Sequence, residues 1–173
     1  MNRRVEHLGN FELLSLPKTT FLCSRRIPAS SILKCYDWAI AQRKAGRCII
    51  SGFHSQIEKD VLHYLLAGDQ PIIAAFARGL KRRLEPEIAE AVSQNRFLII
   101  NSFSSIVTRA SEKTASKRNE LMVALAEEIF VPYAEPGGNV ERVAMRALKE
   151  GKIVQTFNLL ENRTLIEAGA IAD

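Results

Sequence analysis

The sequence predicts an α/β domain with a mainly parallel sheet, and three observations carry that reading. Six short apolar runs, several rich in β-branched residues, alternate with segments whose apolar residues recur at helical spacing. Such alternation along a whole chain is the pattern of strands joined by crossover helices. Polar or glycine-bearing turns follow the runs, as at the carboxyl edge of a parallel sheet. Finally, 173 residues with 47% hydrophobic content suffice for one domain with a full core.

Residues 1–20 read as an N-terminal arm, either an edge strand or a segment packed over the sheet, and residues 21–173 as a single domain. Phe21, Leu22 and Cys23 form the first strand, followed by Ser24-Arg25-Arg26. Pro28 with Ser30 and Ser31 starts a helix that Gly46 ends. Cys48, Ile49 and Ile50 form a strand of the kind buried on both faces, and Ser51-Gly52 breaks it. Ile57, Val61, Leu62, Leu65 and Leu66 then follow at helical spacing.

The third strand covers residues 71–77 and ends in Arg78-Gly79, ahead of the basic cluster Lys81, Arg82 and Arg83. A helix over residues 85–94 carries acidic residues in its first turns, as the dipole prefers. Residues 97–100 form a fourth strand, ending in Asn101-Ser102. Residues 106–116 read as a loop, and Lys117-Arg118-Asn119 leads a helix with Leu121, Met122, Leu125 and Ala126 on its apolar face. A fifth strand covers residues 129–133. Pro136-Gly137-Gly138-Asn139 then turns into a helix stopped by Gly151. Residues 153–157 form the sixth strand, and residues 162–170 a last short helix.

The formal net charge is +5 with a pI near 9.3, a balance that permits anionic partners without demanding them. Cys23, Cys35 and Cys48 lack metal-ligand spacing and read as buried free thiols in a reducing compartment. No apolar run approaches membrane-spanning length and no N-terminal leader pattern stands out, so the expected location is the cytoplasm.

The turns at the predicted carboxyl edge supply the candidate site: Ser24, Arg25 and Arg26; Ser51, Gly52, Phe53, His54 and Ser55; Arg78 and Gly79; Asn101 and Ser102. A strand, a tight turn and a helix place backbone N–H groups where the helix dipole favours an anion, and Gly52 permits close approach. The alternative is an ordinary βα turn that needs a glycine. The arginines after the first strand are placed to meet a phosphate or form a solvated basic turn. Phe53 has two readings as well, a stacking platform for a base or a core residue.

The order of these motifs resembles the Rossmann-like domain of the DNA-processing protein A family (DprA). Cys23-Ser24-Arg25 stands where that family has Gly-Ser-Arg. The run from Ser51 through Gly52, Phe53, His54, Ser55, Gln56 and Ile57 to Glu58 is similar in frame to its Ser-Gly-x-Ala-x-Gly-Ile-Asp pattern. Lys117-Arg118-Asn119 echoes its Arg-Asn-Arg helix start, and Gly137-Gly138 its serine-glycine turn. Asn162-Arg163-Thr164-Leu165-Ile166-Glu167-Ala168-Gly169-Ala170 resembles its closing Asn-x-Leu-Ile-x-x-Gly-Ala, with one extra residue. The departures are Cys23 for the first glycine, Ser55 for a usually basic residue, and Gln56 for a glycine.

The resemblance implies a doubly wound fold with helices on both faces that binds single-stranded DNA or a nucleotide, in DNA processing or recombination. Arg25, Arg26, Arg118 and the residue 81–83 cluster would neutralise phosphates, with Asn119 beside them. Ser51, Gly52, Gly137 and Gly138 would present backbone donors. No membrane, metal or cofactor is expected, and a homodimer is kept open.

A sister family, the phosphoribohydrolases once labelled lysine decarboxylases, gives the alternative of a nucleotide-hydrolysing enzyme. Its Pro-Gly-Gly-x-Gly-Thr-x-x-Glu loop resembles the segment from Pro136, but Val140 and Glu141 replace Gly-Thr and Ala144 replaces the catalytic glutamate. Glu141 substitutes only after a loop shift. No Gly-x-Ser-x-Gly elbow, Walker A motif or tight Gly-x-Gly-x-x-Gly occurs.

Overall fold

In a computed structural model, which describes residues 6–80, 83–101, 103 and 107–173, the apolar runs form the expected strands and two more join them. In chain order the strands are β1 (Glu6–Gly9), β2 (Lys18–Phe21), β3 (Cys48–Ser51), β4 (Ile72–Phe76), β5 (Phe97–Asn101), β6 (Glu128–Phe130), β7 (Ile153–Thr156) and β8 (Ile171–Ala172). The helices are α1 (Ala29–Lys44), α2 (Gln56–Leu66), α3 (Pro86–Ser93), α4 (Glu112–Leu125), α5 (Asn139–Lys149) and α6 (Arg163–Glu167). All strands belong to one sheet in the order β1-β5-β4-β3-β2-β6-β7-β8. Among the described residues, only the β1–β5 pairing is antiparallel.

Strand periodicity explains the two cores. Cys48, Ile50, Ile73, Ala75, Leu98 and Ile100 face Met122, Val123, Val143 and Ala147 of α4 and α5. The alternate positions Ile49, Ile72, Ala74, Phe97 and Ile99 face Cys35 and Ala39 of α1 and Val61 and Leu65 of α2. Every one of these sheet residues is buried, so the runs read as continuous apolar stretches. From β2 the chain steps outward through β3, β4 and β5, then crosses back to place β6 on the other side of β2. The strand order therefore reverses between β2 and β6, where open α/β sheets form their crevice.

The mainly parallel sheet with helices on both faces is as expected, and the differences lie at element boundaries. β2 begins at Lys18, so the expected boundary between residues 20 and 21 cuts through a strand. Its polar residues hide it. Thr20 Oγ1 donates to the Met122 carbonyl at 3.0 Å, and Lys18 Nζ to the carbonyls of Leu14 and Leu125 at 2.9 and 3.3 Å. The edge-strand alternative for the N-terminal segment holds for Glu6–Gly9, which pairs with β5.

Helix α4 begins at Glu112 rather than near Lys117, because Ser111 and Thr114 form a capping box. Residues 112–116, expected in a loop, are its first turns. Lys152 caps the other end of this helix, donating from Nζ to the carbonyls of Val123 and Ala126 at 2.6 and 2.8 Å. The expected last helix, residues 162–170, is the shorter α6, preceded by a 3-10 turn, Leu160–Asn162, and followed by the two-residue strand β8. Among the described residues, no helix is long and apolar enough to cross a membrane.

Candidate functional site

Gly52 follows β3 and lies against the side chain of Arg118, which rises from the second turn of α4. A Cβ at position 52 would sit 2.5 Å from both Cζ and Nη1 of Arg118. A side chain at this position would therefore displace the guanidinium from the turn. Arg118 is only 7% exposed, and none of the ion pairs among the described residues includes it. Asn119 Oδ1 accepts from its Nε and Nη2 at 3.2 and 2.9 Å. Burial pulls the Arg118 pKa down, nearby Glu58 opposes that, and Arg25 adds to it.

The amides at the start of α2 are already engaged. The Glu58 carboxylate accepts from the His54 and Ser55 backbone N–H groups at 2.9 and 2.8 Å, and the Ser55 hydroxyl caps the helix in return. The sequence places an anion at this helix start, and the chain supplies its own. The same holds at the glycine turn before α5, where the Gly137 N–H donates to Glu141 at 3.1 Å.

Other expected ligand groups are also committed internally. Ser51 is fully buried and donates to the Phe21 carbonyl at 2.9 Å, which removes its hydroxyl from any ligand. Phe53 has a left-handed backbone with φ of 46° and packs into the core with Ile57 and Val61, so the core reading applies. Ser24 ties the loops after β2 and β6 together: its N–H donates to the Tyr133 carbonyl, and its hydroxyl accepts from the Glu135 N–H at 2.8 Å. Asn101 holds Phe103 by two hydrogen bonds, and the Gly79 N–H donates to the Val107 carbonyl. Ser102, Lys81 and Arg82 lie outside the described residues.

A cleft of about 710 Å³ opens at this edge on the α2 and α3 face of the sheet. Gly52, Phe53, His54, Arg78, Arg83 and Arg118 line it, six of the residues singled out in the sequence. Arg25 acts on this group by charge, since it lowers the pKa of both His54 and Arg118. Desolvation is the larger cause for His54, which is thereby favoured as neutral imidazole. Gly138, Gly137 and Asn119 are not among the lining residues, and Asn119 joins Arg118 to Asn139 at the start of α5.

The sequence reading missed Lys59, His63 and Arg109, which add basic groups to the cleft, and Glu85 and Glu87, which add acidic ones. Lys59 and His63 are four residues apart on α2, so they share a helix face, which is the one signal available beforehand. The inner wall is apolar, with Leu62, Phe76 and Ile88 among its residues. An apolar wall under a rim of cations suits a ligand that has both flat apolar faces and negative charge. Among the described residues no group of three or more His, Cys, Asp or Glu is placed to hold a metal ion.

The switched parallel sheet, with a basic cleft at its carboxyl edge, defines a Rossmann-like α/β domain. More specifically, the family model described as DNA recombination-mediator protein A matches residues 6–169, and the chain belongs to that family. The fold is similar to that of DNA processing protein A from Streptococcus pneumoniae, with TM-score 0.80 and 20% identity over 98% of this chain. The chain spans 62% of the length of that protein. It is also similar to DNA processing protein A from Helicobacter pylori, a structure described for its single-stranded DNA binding mode. That match has TM-score 0.78 and 21% identity, covering 99% of this chain and 82% of the other. A molybdenum cofactor binding protein from Rippkaea orientalis shares the fold at TM-score 0.63 and 12% identity, covering 91% of this chain and 89% of the other. No curated protein sequence matches the chain.

Proposed function

We propose that this chain binds single-stranded DNA at the cleft beside Gly52, serving DNA processing or recombination. The observation that carries the reading is Arg118, a buried arginine in no ion pair among the described residues, lining a basic cleft. A desolvated guanidinium in no direct ion pair, with the nearby Glu58 carboxylate engaged by backbone N–H groups, is a seat for an anionic group. Arg25, Arg78, Arg83 and Arg109 extend the positive field, and the apolar wall gives unstacked bases a surface that a duplex would not reach. Family membership and the Helicobacter relative's single-stranded DNA binding mode support the same reading. With its three cysteines buried as free thiols, the protein suits the reducing cytoplasm, where the DNA is.

The hydrolase alternative finds no carboxylate in the required place. Ala144 is fully buried against the sheet, and Glu141 is engaged with the Gly137 N–H. Incubation with adenosine monophosphate should release no adenine above the buffer control. A turnover lost in Glu141→Gln would promote the enzyme reading.

Fluorescence anisotropy with a labelled oligonucleotide at several salt concentrations tests the binding proposal. Single strands should bind more tightly than duplex. Arg118→Ala should flatten the slope of log affinity against log salt by roughly 0.7, the contribution of one phosphate on a single strand. Absence of binding at low salt, with the fold intact by circular dichroism, would defeat the proposal and leave a small nucleotide as the ligand.

A further inference from the structure

Arg118 does not hold its position alone. Asn119 Oδ1 accepts two hydrogen bonds from its guanidinium, and this fixes the amide, because arginine only donates. The Asn119 Nδ2 group is thereby turned outward and donates to Asn139 Oδ1 at 2.8 Å. Asn139 in turn donates from Nδ2 to Ser116 Oγ at 2.7 Å, and Arg142 Nη2 reaches the same oxygen at 3.3 Å. The result is a directional relay across two helices, from Arg118 on α4 to the first residue of α5 and back to Ser116 on α4. Asn139 follows the Gly137-Gly138 turn directly, and Glu141 pins that turn from within α5.

We infer that Asn139 is a positioning residue of the Arg118 site, acting through Asn119 to aim the guanidinium at the turn by Gly52. The glycine turn before α5 therefore serves to place an amide, since Glu141 already engages its Gly137 N–H. The position needs an acceptor towards Asn119 and a hydrogen-bond partner for Ser116, which the amide of Asn139 supplies by accepting from one and donating to the other. The inference rests on the reading of Arg118 as the phosphate-binding group, but its structural half stands in the ligand-free protein.

The experiment uses the whole chain with Asn139→Leu, close in size but without hydrogen bonds, and Asn139→Asp. Asp keeps the acceptor towards Asn119 and lets the Ser116 hydroxyl donate to it. Two readouts are needed: the exchange rate of the Arg118 Nε proton by NMR without ligand, and the affinity for a labelled single-stranded oligonucleotide. Asn139→Leu should accelerate Nε proton exchange and weaken binding about two- to tenfold, the range set by losing one net hydrogen bond. Asn139→Asp should restore most of both. An unchanged Arg118 exchange rate in folded Asn139→Leu overturns the inference, as does equal damage in both variants. If Asn139→Leu fails to fold, Ser116→Ala reports on the same relay from its far end, and an unchanged exchange rate there overturns it equally. Should the wild-type chain bind no oligonucleotide, the exchange rates still decide the positioning role, and only the DNA reading falls.

Discussion

Replacing Gly52 with alanine isolates the contact around which the site is built. Gly52 does not have a left-handed backbone, so a side chain there is resisted by its surroundings and not by its own dihedral angles. Its new Cβ would lie 2.5 Å from two guanidinium atoms and 2.9 Å from Nε. Arg118 would have to move, and moving breaks its hydrogen bonds to Asn119. Overpacking costs about 1–3 kcal/mol in a closed core, and because the group met here is the far end of a side chain that lines a cleft the cost falls at the low end, about 1 kcal/mol. For a domain of this length that lowers Tm by roughly 2–4 °C.

The decisive assay is a double-mutant cycle in urea unfolding, with Gly52→Ala measured in the wild type and in Arg118→Ala. Removing the guanidinium removes the clash, so the alanine should cost little in the second background, with a coupling of about 0.5–1 kcal/mol. Equal costs within about 0.5 kcal/mol, the usual limit of additivity, would refute the account of why residue 52 is glycine. The single variant Gly52→Ala should also lose oligonucleotide affinity while retaining its circular dichroism spectrum.

Two further outcomes follow from titrating groups. His54 has a folded pKa below its usual value, so between that depressed value and about 6.5 the unfolded chain binds more protons, and stability should fall as pH falls through this window. His54→Gln should remove that part of the pH dependence in urea titrations, and an unchanged dependence would exclude His54 as its source. All three thiols are buried, with burial pushing Cys35 up to about 12 and Cys48 to about 11, so Ellman's reagent at neutral pH should react with none until the chain unfolds. Reaction of one thiol in the native protein would contradict that burial.

The sequence was most informative where burial is simple. β3, β4 and β5 are apolar on both faces, and their runs announce them within a residue or two. β2 was obscured because its first three residues are lysine and threonines, whose polar atoms find partners only in the tertiary structure. α4 reads short for a related reason: its first turns, residues 112–116, bury no side chain against the sheet and carry no apolar period, so only the Ser111–Thr114 capping box marks where it starts. The site was legible as a set of turns but not as a constellation. Nothing local links Gly52 to Arg118, 66 positions apart, or tells that Glu58 and Glu141 occupy the amides at two helix starts.

Lys18 and Lys152 grip the carbonyls at the far end of α4, one from the start of β2 and the other from the approach to β7. These strands flank β6, on either side of it in the sheet. The helix is thus riveted to the sheet at one end and presents its arginine nearer the other, like a beam fixed in a wall. If Arg118 holds DNA as proposed, a strand drawn taut on it would pull along a braced member and transmit its load to β2 and β7 through two ammonium groups. Loosening either lysine should leave the charge of the cleft untouched and lower its stiffness. Grip under tension would then fail before grip at rest.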